Sequence, residues 1–165
     1  MRKMEWWEKI ILFAASIILG AVLMAKDRQS EALDANQTAV TLSPQDAVAH
    51  FNLGITLKGL GRLEEAEASY RQSIKLKPDF AEVHHNLGVI LQEQGRFKEA
   101  EASYKKALAL KPNHVETYNN LGNTLKEQSK FIEAEASYKK ALSLKPDHIE
   151  TYNNLGCMFT DQGKF

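Results

Sequence analysis

Residues 81–112 read AEVHHNLGVILQEQGRFKEAEASYKKALALKP, and this stretch decides the fold. The text returns, shifted by 34 residues, as VETYNNLGNTLKEQSKFIEAEASYKKALSLKP at 115–146. Working outward, the same phase holds along most of the chain. Prolines stand at Pro44, Pro78, Pro112 and Pro146, and Leu-Gly recurs at Leu53-Gly54, Leu87-Gly88, Leu121-Gly122 and Leu155-Gly156. Alanine recurs at Ala66, Ala100 and Ala134, and tyrosine at Tyr70, Tyr104 and Tyr138. A fixed period of this length means a stack of one supersecondary unit. Such a stack builds a long surface more readily than an enclosed pocket, so the period points to binding rather than chemistry.

The unit itself reads as two helices. Apolar residues fall at helical spacing from Val48 to Leu60 and again from Leu63 to Leu76. Gly61 and Gly95 punctuate the pair, and Pro78 and Pro112 end the second helix. Small residues at Gly54 and Ala66 let two helix axes approach, and Tyr70 fills the gap to the next unit. The second helix carries Glu64, Glu65 and Glu67 early and Arg71, Lys75 and Lys77 late, the order that suits the helix dipole. Glu67 to Arg71, Glu101 to Lys105 and Glu135 to Lys139 are i,i+4 pairs, each contributing roughly 0.2–0.5 kcal/mol. These charges read as a solvated face.

The slots resemble those of the tetratricopeptide repeat (TPR) family. Its pattern is an aromatic, Leu-Gly, a Leu or aromatic, Ala, an aromatic, Ala and Pro. His50, Leu53, Gly54, Leu57, Ala66, Tyr70, Ser73 and Pro78 fill it in the first unit. His84, Leu87, Gly88, Leu91, Ala100, Tyr104, Ala107 and Pro112 fill it in the second, and Tyr118, Leu121, Gly122, Leu125, Ala134, Tyr138, Ala141 and Pro146 in the third. A fourth begins with Tyr152, Leu155, Gly156 and Phe159. The departures are His50 and His84 in an aromatic slot and Ser129 in a turn-glycine slot. The resemblance implies an all-α, right-handed superhelical solenoid of helix-turn-helix units. We expect repeats at 47–80, 81–114 and 115–148, and a partial one at 149–165.

Composition adds exclusions. Net charge is zero, and no basic patch of the kind that binds phosphate is present, so nucleic acid is not an expected partner. Cys157 is the only cysteine, which rules out an internal disulfide. No phosphate loop, nucleophile elbow or zinc spacing occurs, and Cys157 lacks a general base, so no catalytic residue, metal or small-molecule cofactor is expected. Adjacent His84 and His85 point in different directions on a helix and make a poor metal pair, and His114 and His148 fall at turns between units.

The two ends differ from the middle. After a flank at 1–9, Ile10 to Ala25 is uncharged, with Ser16 its only polar member. Such a run is about 24 Å long as a helix, short of the roughly 30 Å hydrocarbon core. Trp6 and Trp7 sit where an interfacial belt would lie, and Lys9 can snorkel. The preferred reading is a single-pass membrane anchor. Arg2, Lys3 and Lys9 before it outnumber Lys26 and Arg28 after it by one charge, which places the repeats on the non-cytoplasmic side. A cleaved signal peptide fits less well, because cleavage after Ala25 would put bulky Leu23 near the cut. A third reading follows from the period: 34 residues before Leu53-Gly54, Ala66 and Ser73 lie Leu19-Gly20, Ala32 and Ala39. By that reading the apolar run opens a degenerate repeat whose second half lies within 29–46. At the other end Phe165 falls where a fourth second helix would start, so the chain reads as a fragment of a longer protein.

The TPR resemblance also implies where a ligand binds, since first helices line the concave groove in that family. Asn52, Asn86, Asn120 and Asn154 precede Leu-Gly in all four units, and Asn119, Asn153 and Asn123 thicken the row. An amide donates and accepts, so a ladder of amides can pair with the backbone of an extended peptide whatever its sequence. A similar ladder marks the TPR region of O-linked N-acetylglucosamine transferases. The expected function is therefore a scaffold that binds a partner protein or extended peptide. The alternative is the substrate-recruiting region of such a glycosyltransferase, its catalytic domain lying beyond Phe165. A carboxylate clamp for acidic chain ends is not expected. Its slots hold Phe51, Ile55, Glu116 and Asn120, with only Asn86 fitting, and Glu82, Glu116 and Glu150 would repel an acidic tail.

Overall fold

The computed structural model describes residues 5–25 and 28–161, and every regular element among them is an α-helix. These are α1 (Trp6–Ala25), α2 (Gln29–Leu42), α3 (Ala47–Gly59), α4 (Leu63–Leu76), α5 (Ala81–Glu93), α6 (Phe97–Leu110), α7 (Val115–Glu127), α8 (Phe131–Leu144) and α9 (Ile149–Asp161). They fall into two compact units, α1–α4 within Met1–Asp79 and α5–α9 within Phe80–Phe165. Arg2, Lys3 and Lys26, on which the membrane orientation rests, and Phe165 lie outside the described residues.

The turns that follow α3, α5 and α7 are built the same way. The first helix ends in a left-handed residue, Gly61 at φ +73° and Gly95 at φ +72°. The amide of the next residue returns to the helix, Arg62 N–H to Leu57 O at 2.9 Å and Arg96 N–H to Leu91 O at 2.8 Å. This is the Schellman closure, which favours glycine because a Cβ is strained there. The third hairpin places Ser129 in that position at φ 60°, with Lys130 N–H still bonded to Leu125 O at 2.9 Å. Left-handed backbone costs a residue with a Cβ about 1–2 kcal/mol, and glycine gives part of that back through its freer unfolded state. Ser129→Gly should therefore raise stability by about 0.5–1 kcal/mol. A urea titration with an unchanged slope and a higher midpoint would show it; an unchanged or lower midpoint would refute it.

Pairing within a hairpin depends on one contact. A Cβ added to Gly54 would lie 2.4 Å from the ring of Tyr70, and one added to Gly88 would lie 2.6 Å from Tyr104. The glycine thus brings the two axes together and the tyrosine ring seats on bare backbone. Tyr70, Tyr104 and Tyr138 are fully buried, as are Ala66, Ala100 and Ala134 beside them. In the first of these pairs Ser73 also donates to Ala47 O at 2.7 Å, tying the end of α4 to the start of α3.

The same register governs α1 and α2, and it overturns the expected membrane anchor. Gly20 of α1 sits against Asn36 of α2, where an added Cβ would lie 2.5 Å from the Asn36 amide. Asn36 occupies the place of Tyr70 one period earlier, and Ala32, Ala35 and Ala39 are buried beside it. Its Nδ2 donates to Thr56 Oγ1 at 2.8 Å, linking α2 to α3. Among the described residues no helix is long and apolar enough to cross a membrane. The single-pass placement, the membrane as a partner and a transmembrane N-terminal helix are therefore withdrawn. Helix α1 is the first half of a helical hairpin, with Trp6, Ile10, Ile11, Ile18 and Leu19 on its exposed side.

Candidate functional site: the amide stripe of the first helices

In the second unit the first helices of successive repeats, α5, α7 and α9, lie side by side. His85 Nδ1 on α5 meets Thr117 Oγ1 on α7 at 2.8 Å, and Thr151 Oγ1 on α9 donates to Asn119 Oδ1 on α7 at 3.0 Å. On each helix the ladder asparagine falls four residues after a first-turn glutamate, so Glu82 and Asn86, Glu116 and Asn120, and Glu150 and Asn154 share a face. All three asparagines are half-buried, and the glutamates are exposed.

The structure separates the predicted site residues into distinct groups. Asn120 lies beside the Tyr104 hydroxyl, which itself donates to Gln92 Oε1 at 3.0 Å. Burial pushes the Tyr104 hydroxyl well above its ordinary pKa, so it remains a donor. Asn154 Nδ2 donates to Asn119 Oδ1 at 3.0 Å. Asn154 thus anchors one side of its amide on the neighbouring first helix, and an amide with two donors and two lone pairs retains capacity for a ligand. Asn86 is half-buried on α5, and Asn52 is half-buried on α3 in the first unit.

Asn119, Asn123 and Asn153 do not form one row with these. Asn119 is 1% exposed, donates to Glu150 Oε1 at 2.9 Å and accepts from both Thr151 and Asn154. It joins α7 to α9. Asn123 accepts from the Tyr138 hydroxyl at 2.7 Å, which fixes the buried ring, and Asn153 is exposed.

Two threonines join the site that the repeat pattern did not single out. Thr117 N–H donates to His114 Nδ1 at 3.3 Å, so that nitrogen is an acceptor. The Thr117 hydroxyl, 2.6 Å from the same nitrogen, must then donate to it and accept from His85. One period later His148 Nδ1 lies 2.7 Å from Thr151 Oγ1, whose proton goes to Asn119 Oδ1. His-x-x-Thr recurs at 114–117 and 148–151; at 114 it caps α7, and the shared spacing is the signal that could have found it. His114 and His148 therefore have structural work, and among the described residues no group of three or more His, Cys, Asp or Glu is arranged to hold a metal.

Fold and site together define a helical repeat array with a polar face along its first helices. Models of the tetratricopeptide repeat match at residues 35–68, 58–95 and 79–147, together running from residue 35 to residue 147. The chain belongs to the tetratricopeptide repeat family. No curated protein matches it in sequence. Its fold is shared with MamA from Desulfovibrio magneticus RS-1, at 20% identity and a TM-score of 0.86 over 92% of this chain and 86% of that one. PilF of Pseudomonas aeruginosa matches at 22% identity and a TM-score of 0.84, over 95% of this chain and 72% of its own. YrrB, described as a TPR protein with an unusual peptide-binding site, matches at 19% identity and a TM-score of 0.78, over 90% and 76%.

Proposed function

We propose that this protein is an interaction scaffold whose second unit binds an extended peptide segment of a partner across α5, α7 and α9. One observation carries the reading. Half-buried amides recur at one register of three adjacent helices, Asn86, Asn120 and Asn154, with Asn154 steadied from behind by Asn119. Fixed amides with remaining donor and acceptor capacity suit a peptide backbone, which offers both groups at every residue. The solved TPR protein described by its peptide-binding site is a precedent for the fold. The likeness to glycosyltransferase repeats rests on the asparagine ladder and on the NLG and LKP strings, and no observation of the structure favours it.

The test uses the whole chain and fluorescent peptides of about ten residues, which reach roughly 33 Å when extended. Neutral, cationic and anionic sequences are titrated in parallel. Asn86→Ala with Asn120→Ala should weaken whichever peptides bind by about 1–3 kcal/mol, roughly five- to 150-fold. Helical content should hold, since Ala is the better helix former. A double variant that binds as the parent does, or a parent that binds none of the peptides, would overturn the reading.

A further inference from the structure

The chain's zero net charge conceals a segregation in the second unit. Helices α5, α7 and α9 carry Glu82, Glu93, Glu116, Glu127, Glu150 and Asp161 against a single cation, Lys126. The remainder of residues 80–161 carries Arg96, Lys98, Lys105, Lys106, Lys111, Lys130, Lys139, Lys140 and Lys145 against five acids. The acids are placed in register. On each first helix they stand four residues before the ladder asparagine and seven after it, as in Glu82, Asn86 and Glu93. Those offsets keep all three on one helical stripe. The amide row is thus flanked on both sides by acids, and all six of these acids are exposed. In the first unit, α3 has Val48 and Gly59 in the corresponding places, so the acidic flanks belong to the second unit alone.

The cations near this face offset its charge only in part. Lys126 is shared between Glu127 at 3.7 Å and Asp161 at 3.8 Å, which leaves two acids for one charge. Lys111 reaches Glu82 at 3.2 Å. The carboxyls of Glu82 and Glu116 are held below the usual range, first by hydrogen bonds at their own helix starts, so they stay charged at neutral pH. His114 Nε2 lies 3.8 Å from Glu116.

From this placement we infer that the extended peptide bound across α5, α7 and α9 is cationic, with lysine or arginine side chains reaching the two acidic flanks while its backbone meets the asparagines. The inference rests on the peptide-binding reading of the same face and specifies its partner. Backbone pairing alone would be indifferent to sequence. The flanks supply the discrimination, since a carboxylate brought against them adds like-charge repulsion and an ammonium or guanidinium removes it.

The test keeps the two readings apart. With the whole chain, peptides of about ten residues alternating Ala with Lys, Ser or Glu are titrated at low and high salt. The lysine peptide should bind tightest and the glutamate peptide weakest. Raising ionic strength from about 0.01 M to 0.1 M, which shrinks the Debye length from roughly 30 Å to 10 Å, should weaken only the lysine peptide. Glu82→Gln, Glu116→Gln and Glu150→Gln together should cost that peptide roughly 3- to 100-fold and leave the serine peptide unchanged. Glutamine still offers Asn119 an acceptor at position 150, so folding should survive, and circular dichroism checks it. Lys126→Gln, which releases Glu127 and Asp161, should tighten the lysine peptide. If the serine peptide binds as well as the lysine peptide, or neither set of substitutions changes the preference, the cationic partner is wrong while the peptide face stands. If none of the three binds, the peptide face itself falls.

Discussion

Gly122→Ala should destabilise the protein by about 1–3 kcal/mol, while Gly156→Ala, the same change one period later, should stabilise it by about 0.5–1 kcal/mol. Both glycines sit inside a first helix after a leucine, at equivalent points of the repeat. Helix propensity alone would make alanine favourable at each by about 0.8–1.0 kcal/mol. Packing reverses the sign at one. A Cβ at Gly122 would lie 2.4 Å from Cε1 and 2.6 Å from Cδ1 of Tyr138. That ring cannot step aside easily, since it is fully buried and its hydroxyl is held by Asn123 at 2.7 Å. At Gly156 no described atom lies within 4 Å of the added carbon. Thermal and urea unfolding of the two variants beside the parent decides it. Shifts of the same sign would mean that the glycine–tyrosine contact does not hold the hairpins closed.

The paired glycine and tyrosine are legible in the amino-acid sequence because the period repeats them, and so are the turn glycines. What the period does not show is which residues cross between helices. Gly20 and Asn36 meet as Gly54 and Tyr70 do, yet asparagine in a tyrosine slot breaks the pattern. The apolar run around Gly20 then suggests lipid rather than a hairpin partner. Asn119 and Asn153 occupy one slot and look alike in sequence. Asn119 is buried because Glu150 and Thr151 arrive from the following helix, and Asn153 is exposed. The asparagine row is legible as a row, but which of its members join helices depends on neighbours 31 to 35 residues away. Glu101 shows the same limit. Its partner Lys105 follows from spacing, but Gln128 and Lys130 come from the next hairpin.

Glu101→Gln should cost about 2–3 kcal/mol at neutral pH and remove part of the protein's acid sensitivity. The carboxylate is nearly buried at 9% exposure and takes three donors. Lys105 Nζ reaches it at 2.6 Å within α6, while Lys130 Nζ at 2.7 Å and Gln128 Nε2 at 2.9 Å come from the turn between α7 and α8. Burial by itself would raise its pKa; the hydrogen bonds from Lys105, Lys130 and Gln128 outweigh that and lower it to about 2. An unfolded glutamate titrates near 4.3, so the folded value is depressed, and the stabilisation is complete above about pH 4.3. It is lost as pH falls through about 2. At about 1.36 kcal/mol per unit the linkage reaches roughly 3 kcal/mol, and removing the charge also leaves two lysines without their shared partner. Glu135→Gln, at the matching place on α8 beside Lys139 at 2.6 Å, removes a more exposed carboxylate and should cost less than Glu101→Gln. Urea unfolding of parent and both variants at steps from pH 7 to pH 2 tests the account. The parent and Glu101→Gln curves should converge as the pH drops below about 4, because protonation then removes from the parent what the substitution has already removed. Curves that stay parallel over that range would mean that Glu101 is not the ionised staple between α6 and the hairpin that follows.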